Sequence, residues 1–404
     1  MGKHATASIL AVLDIIKLNE RFGYIKNMAD IGIMTAQVRP EREIGQIHVY
    51  DGTGKGKSQA ALGVVLRSLG LGMSDTSPVG TRILLLRFLK GAEREYAEDA
   101  AISALQQGFP HLIDHVRTGR AEFFDAEHVT PFDRQEAERG WAIAKGAMSS
   151  GLYSVIVLDE INPVLDLGLI PADRIVKDLK NKPPHLEVIC TGRGAPQSLI
   201  DIADLHSEMR SHDEAHAEKY GVTGIEIYTG AGKGKSTSAL GRSLKAIGTG
   251  ISRDLSHRVL IMQWLKGGAG YTEDAAIAAL KRGYPHVIDH QRCGRDAIVW
   301  RGQQQEMDCI EAQRGWEIAQ AAIASGLYKT IILDELNPTV DLDLLPVEPI
   351  CQALLKKSRD TEIIITGRCF NQPAYFDLAS VHSEMVCHKH YAEKGVDLKR
   401  GVDF

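Results

Sequence analysis

Short, continuous apolar runs separated by longer segments of helical period are the dominant pattern along this chain. Ile83–Leu86, Val155–Leu158 and Leu186–Ile189 are such runs, and Val259–Met262, Ile331–Leu333 and Ile363–Ile365 repeat them further on. Runs without polar alternation suit strands buried on both faces of a parallel sheet. Between them, Glu136–Ser149 and Glu311–Ser325 are alanine-rich with helical spacing. Strand and helix therefore alternate, which predicts an α/β fold with helices on both faces of a mostly parallel sheet.

The pattern occurs twice. Asp51-Gly-Thr-Gly-Lys-Gly-Lys-Ser58 returns as Thr229-Gly-Ala-Gly-Lys-Gly-Lys-Ser236, 178 residues later. Glu98–Arg120 and Glu273–Arg295 align without a gap over 23 positions, 16 of them identical. Gly140-Trp141 returns as Gly315-Trp316, Asp159-Glu160 as Asp334-Glu335, Thr191-Gly-Arg193 as Thr366-Gly-Arg368, and His206-Ser-Glu-Met209 as His382-Ser-Glu-Met385. The offset falls to 175 after the loops, so three residues differ between the copies near positions 73–80. A period this long marks a duplicated domain and not a solenoid. The boundaries read as an N-terminal helical extension over 1–45, with helical periodicity in Ala7–Leu18, then copy 1 over 46–223 and copy 2 over 224–404. The linker is nearly absent, which favours two domains packed together.

Composition narrows the class. The chain has 404 residues, 44% hydrophobic and 25% charged, with a formal net charge of −5. That balance gives no electrostatic case for nucleic acid or an anionic membrane. No run approaches 18 apolar residues and the N-terminus lacks a signal-peptide core, so a cytoplasmic protein is expected. The six cysteines form no C-x-x-C pair, which argues against a disulfide framework or zinc ribbon.

The glycine loops carry the chemistry. Each follows an apolar run and precedes a helical segment, the arrangement in which backbone N–H groups and a helix N-terminus cradle phosphate. The cradle residues are Gly52, Thr53, Gly54, Lys55, Gly56, Lys57, Ser58 and Gln59 in the first copy. In the second they are Gly230, Ala231, Gly232, Lys233, Gly234, Lys235, Ser236 and Thr237. Lys57 and Lys235 are the candidate catalytic cations. The loop departs from the usual G-x-x-x-x-G-K-[ST], because Asp51 and Thr229 occupy the first glycine position. Asp159-Glu160 and Asp334-Glu335 end apolar strands at the ligand side of a parallel sheet. Glu160 with Ser58, and Glu335 with Ser236, are the candidate Mg²⁺ ligands. Arg193 and Arg368 follow the next strand and are candidates for phosphate contact. His111, His115, His286 and His290 have the His-x₃-His spacing of a helical metal site, but with no third ligand they read as structural.

These motifs together resemble the P-loop type of ATP:corrinoid adenosyltransferase, as two tandem P-loop NTPase-like units over about 360 residues. The resemblance rests on the rearranged loop, Leu89-Lys-Gly91 and Leu265-Lys-Gly267, the Gly-Trp helix, the Leu-Asp-Glu and Thr-Gly-Arg strand ends, and the C-terminal Gly395-Val…Gly401-Val-Asp-Phe404. It implies ATP and Mg²⁺ as ligands, with a Co(I) corrinoid attacking C5′ of ATP and expelling triphosphate. It further implies a reductase as partner and a monomer acting as a pseudo-dimer. One feature departs from the family. Its aromatic G-F-T-W motif is replaced by Gly119-Arg-Ala-Glu-Phe-Phe124 and Gly294-Arg-Asp-Ala-Ile-Val-Trp300, and Asn162-Pro163 and Asn337-Pro338 follow the strand-end carboxylates. The alternative reading is therefore a P-loop nucleotide-binding regulator or ATPase without corrinoid chemistry.

Overall fold

A computed structural model describes residues 44–74, 82–91, 93–212 and 220–404. The helix expected over Ala7–Leu18 lies outside the described residues. In the first copy the strands are β1 (Ile47–Asp51), β2 (Arg82–Arg87), β3 (Ile113–Arg117), β4 (Tyr153–Asp159), β5 (Glu187–Thr191) and β6 (Leu205–His212). Its helices are α1 (Lys57–Met73), α2 (Ala97–Gly108), α3 (Pro131–Ser150), α4 (Ile161–Asp166), α5 (Ala172–Lys180) and α6 (Gln197–Ile202). The second copy has β7 (Ile225–Thr229), β8 (Arg258–Gln263), β9 (Ile288–Arg292), β10 (Tyr328–Asp334), β11 (Glu362–Thr366) and β12 (Val381–Lys389). Between these run α7 (Lys235–Ser252), α8 (Glu273–Gly283), α9 (Glu306–Ser325), α10 (Leu336–Asp341) and α11 (Val347–Lys356).

All twelve strands form one sheet, in the order β3-β2-β4-β5-β1-β6-β12-β7-β11-β10-β8-β9. Each copy supplies six mutually parallel strands, and the single antiparallel pairing is β6 with β12, which joins the copies. Met209 lies opposite Met385, its own counterpart in the repeat, so the junction is a local pseudo-two-fold. The expected α/β class and the tandem organisation are both present, and the copies are joined more closely than by packing alone.

Four strands escaped the apolar-run reading: β3, β6, β9 and β12. Each carries polar side chains, as in Leu-His-Ser-Glu-Met-Arg-Ser-His of β6. Such a strand gives only one or two apolar residues to the core, as Leu205 and Met209 of β6 do, and its other side chains are polar. His115 and His290 fall in β3 and β9, so His-x₃-His does not lie on a helix. His290 Nε2 instead meets Gln263 Oε1 at 2.8 Å.

One face of the sheet holds a core common to both copies, in which Ala60, Val64 and Leu66 pack with Ala239, Leu240 and Leu244. The other face carries two separate cores, one per copy, centred on Trp141 and Trp316. The common core depends on α1 crossing α7 closely. A Cβ on Gly63 would stand 1.9 Å from the Thr237 carbonyl oxygen, and one on Gly241 would stand 1.9 Å from that of Gln59. Gly63 and Gly241 are counterparts in the repeat, so the crossing point is reciprocal. Glycine in a helix interior ordinarily costs about 1 kcal/mol relative to alanine, and the close backbone approach requires it here.

Gly63→Ala should therefore destabilise the fold despite alanine's better helix propensity. A net loss of about 1–3 kcal/mol is expected, the range of an overpacked core. Denaturant unfolding tests this, and a variant as stable as the parent would show that the helices separate freely.

Candidate functional site

The site starts at the glycine loops. Gly56 and Gly234 stand immediately before α1 and α7 with φ of 117° and 131°, a region closed to residues with a Cβ. The chain thereby turns from strand to helix in one step and leaves the first helical N–H groups unpaired and directed at the cleft. Each loop is braced from behind by the junction strand. Gly54 N–H donates to the Met209 carbonyl at 2.6 Å, and Gly232 N–H to that of Met385 at 2.7 Å. The lysine ammonium groups curl back onto their own loops: Lys57 Nζ donates to Gly54 O at 2.6 Å and Lys235 Nζ to Gly232 O at 2.7 Å.

The two carboxylates at each strand end have different surroundings. Asp159 is 2% exposed and takes hydrogen bonds from Thr191 Oγ1 (2.7 Å) and Arg87 Nε (3.1 Å). Asp334 is 1% exposed and takes them from Thr366 Oγ1 (2.6 Å), Gln263 Nε2 (2.9 Å) and Lys266 Nζ (2.6 Å). Burial alone would raise both acids, but Arg87 beside Asp159 and Lys266 beside Asp334 hold them below the usual carboxylate range. Glu160 and Glu335 take left-handed backbone, with φ of 63° and 62°, and each donates its N–H to the same threonine at 3.1 Å. That turn directs the glutamate carboxyl to the loop serine: Ser58 Oγ to Glu160 Oε1 is 3.5 Å, and Ser236 Oγ to Glu335 Oε1 is 3.2 Å. Burial, then the neighbouring Asp159 charge, raises the Glu160 carboxyl. The aspartates thus anchor the strand ends while the glutamates face the loop.

Arg193 and Arg368 reach the same loops, with Arg193 Nη2 3.3 Å from Thr53 O and Arg368 Nη2 3.4 Å from Ala231 O. Burial chiefly, and then the adjacent arginine, lowers Lys57 to about 8 and Lys235 to about 7. Gln59 follows in the first turn of α1, and Thr237 Oγ1 donates to Gly234 O at 3.0 Å. Lys55 and Lys233 are counterparts in different settings. Lys55 is largely exposed, 3.6 Å from Glu226, whereas Lys233 is buried against Asp403 at 2.7 Å.

A cleft of about 610 Å³ opens over the second loop. Lys235, Ser236, Glu335 and Arg368 line its polar floor, and Leu265, Tyr271, Ile298, Val299, Leu342 and Leu398 line an apolar wall. Arg67 of the first copy and Asp403 of the C-terminal segment also line it. Sequence reasoning missed both, because neither belongs to the repeated motif on which the cleft is built. Lys266 was legible only through the recurrence of Leu-Lys-Gly, and Tyr271 was missed.

Where an aromatic motif was expected, the arginines are committed to the fold. Arg295 makes paired contacts with Asp308 at 2.7 and 2.9 Å, and Arg120 Nε lies 3.1 Å from Asp133 Oδ1. Those aspartates are the capping residues in the first turns of α9 and α3. Trp141 and Trp316 are core residues. Among the described residues no group of three or more His, Cys, Asp and Glu side chains could hold a metal ion, and no helix is long and apolar enough to cross a membrane.

Comparison with known proteins agrees with this geometry. The family described as ATP:corrinoid adenosyltransferase BtuR/CobO/CobP matches residues 43–226 and again 222–404. An uncharacterized protein of Nostoc sp. strain PCC 7120, all2391, is 74% identical over 374 residues, 93% of this chain and 99% of its own length. A corrinoid adenosyltransferase of Pseudomonas aeruginosa is 33% identical over 191 residues, 46% of this chain and 83% of its own. One of Escherichia coli K12 is 31% identical over 180 residues, 45% and 85% respectively. The chain belongs to the ATP:corrinoid adenosyltransferase family and carries it twice in tandem.

The lowered lysines give a pH dependence with a definite sign. An anion needs the ammonium form, which is present below about 7 at Lys235 and below about 8 at Lys57. Above those values anion binding must take up a proton, so affinity for an anion such as inorganic tripolyphosphate should fall by up to about tenfold per pH unit for each lysine engaged. Calorimetric titration in buffers of different ionisation enthalpy measures the proton taken up. Flat affinity with no uptake up to about pH 9 would remove the lysines from the contact.

Proposed function

We propose that this chain moves the 5′-deoxyadenosyl group of ATP to a Co(I) corrinoid and releases triphosphate. The observation that carries the proposal is the same constellation in both copies: a lysine-bearing loop, a serine in the first turn of the helix that follows it, and a glutamate just beyond the end of β4 or β10. In the second copy that constellation faces an apolar wall within one cleft.

In this reading the N–H groups of Gly52–Gln59 and Gly230–Thr237, other than those of Gly54 and Gly232 that the junction strand already holds, bind the triphosphate, with Lys57 or Lys235 moving from the Gly54 or Gly232 carbonyl to phosphate oxygen. Arg193 and Arg368 add charge from the facing strand end. Reaction forms a Co–C5′ bond from the cobalt electron pair. The C5′–O bond breaks, and its pair leaves on triphosphate. The residues stabilise that departing charge and align C5′, so catalysis is positioning and electrostatics.

The donor set suits Mg²⁺: a hydroxyl and a carboxylate offer two hard oxygens, and this ion takes its remaining ligands from phosphate and water. Ser58 with Glu160, and Ser236 with Glu335, would hold it. When bound it would neutralise charge on the leaving triphosphate. Leu265, Ile298, Val299 and Leu342 would exclude water beside the nucleotide. A reductase supplying Co(I) belongs to the same reading, as does a monomer whose copies stand in for two subunits. The copy boundaries near 46, 223 and 224 are proposed on the same footing.

A second reading, an ATPase or nucleotide-dependent regulator, is favoured by one observation. Arg120 and Arg295 are held by Asp133 and Asp308, and Phe123 is 96% exposed.

An anaerobic assay with ATP, Mg²⁺ and chemically reduced cobalamin separates the two. Loss of Co(I) absorbance with equimolar triphosphate is expected, and ADP and phosphate without a cobalt–carbon product would establish the second reading. Lys57→Ala and Lys235→Ala together should lower turnover by about 100-fold or more, the scale of removing a charged transition-state contact. Undiminished turnover in the double variant would exclude both loops from the chemistry.

A further inference from the structure

The two clefts share their loop, serine and glutamate but differ in the charges beside them. In the second copy Lys266 is 2.6 Å from Asp334, and Gln263 completes that carboxylate's hydrogen bonds. The first copy has Arg87 where the second has Gln263. Arg87 takes Asp159 itself and also bonds Glu98 and Asp99. Lys90, the counterpart of Lys266, therefore makes no ion pair among the described residues. Both lysines lie over the matching tyrosine, Lys90 5.0 Å from the Tyr96 ring centroid and Lys266 5.5 Å from that of Tyr271. Lys90 remains close enough to act on both Asp159 and Glu160.

Two further differences have the same sign. Lys233 is neutralised by Asp403 of the C-terminal segment, while Lys55 is 57% exposed with Glu226 at 3.6 Å. Asp296 lines the second cleft, and Ala121 stands at the matching position of the first. Asp51 replaces Thr229 at the head of the first loop and its charge acts on Lys57, although at the matching position the Thr229 hydroxyl meets His382 at 2.9 Å and does not line the cleft. The extra carboxylates of the first copy, Glu93 and Glu95, are exposed to solvent.

We infer that the first cleft is the tighter polyphosphate site of the two, because Arg87 releases Lys90 from the strand-end aspartate to face the ligand, while the second cleft enters binding with its lysines already paired. The inference rests on the phosphate-cradle reading. It makes Lys90 a binding residue and Arg87 a positioning residue. A free ammonium meeting phosphate gains a charge-assisted contact. One already bonded to a buried carboxylate must first leave it uncompensated.

Titration calorimetry of the full chain with inorganic tripolyphosphate tests this. Two phases are expected, with the tighter lost in Lys57→Ala and the weaker lost in Lys235→Ala. Lys90→Ala should weaken the tighter phase by about tenfold, the scale of one charged hydrogen bond, and leave the weaker unchanged. Arg87→Gln should act in the same direction, by letting Lys90 return to Asp159. Lys90→Ala keeps the test decisive if the loss of buried Arg87 unfolds the chain. Loss of the tighter phase in Lys235→Ala, phases of equal affinity, or no effect of Lys90→Ala would overturn the inference. Binding indifferent to both loop lysines would overturn the cradle reading instead.

Discussion

The antiparallel pairing of β6 with β12 is the constraint from which the rest of the molecule follows. A parallel half-sheet ends in an edge strand with unpaired N–H and C=O groups, which is an invitation to association. Here each copy's edge closes the other's, and Met209 facing Met385 fixes the register. That register also carries the loops. The Met209 and Met385 carbonyls accept from Gly54 and Gly232, so the strands that join the copies brace both glycine loops. The loops are thereby tied to the junction, and the junction to the helices α1 and α7, which start at the loops and cross on one face.

The crossing explains why the helical stripes look ordinary in sequence while their packing is not. Ser238 Oγ donates to Gly56 O at 3.0 Å, from one copy's helix to the other copy's loop. Its counterpart, Ala60, has no hydroxyl to return the bond. The pseudo-symmetry of the helix crossing is thus broken in the side chains, at a contact that both loops share.

Much of this was legible beforehand, and what was not has physical causes. Buried parallel strands announce themselves as apolar runs, so β2, β4, β5, β8, β10 and β11 were readable at their centres. The strands at the outer edges and the junction are half polar: His206, Ser207 and Glu208 of β6 are chosen for cross-strand partners, and His206 stacks on His388 at 4.9 Å. Local pattern carries no trace of such a partner. The recurring carboxylate pair was visible, but the division of labour within it was not. It comes from a left-handed turn at Glu160 and Glu335 and from a threonine thirty-one residues away. The arginines that replace the aromatic motif are paired with Asp133 and Asp308. Their neighbours, Asp133 and Asp308, are capping residues whose pairing depends on how the loop folds back on the helix.

Fusion changes what duplication can do. Two separate chains in a symmetric dimer must carry every substitution twice, once in each site. Joined in one chain, the copies can diverge at any position the junction does not use. The C-terminal segment illustrates it. Its Asp403 holds Lys233 through its carboxylate, and through its carbonyl it takes a 2.6 Å hydrogen bond from Arg67 of the first copy. Lys399 of the same segment reaches Glu187, where His48 also pairs at 2.6 Å. At the positions matching His48 and Glu187 the second copy has Glu226 and Glu362, bridged by Arg242 instead. The segment therefore ties the second cleft to the first copy's strands through charges that have no mirror image. Symmetric backbone with asymmetric charge is the condition under which one reaction scaffold can offer two unequal sites. Such asymmetry would be unavailable to a homodimer built from either copy alone.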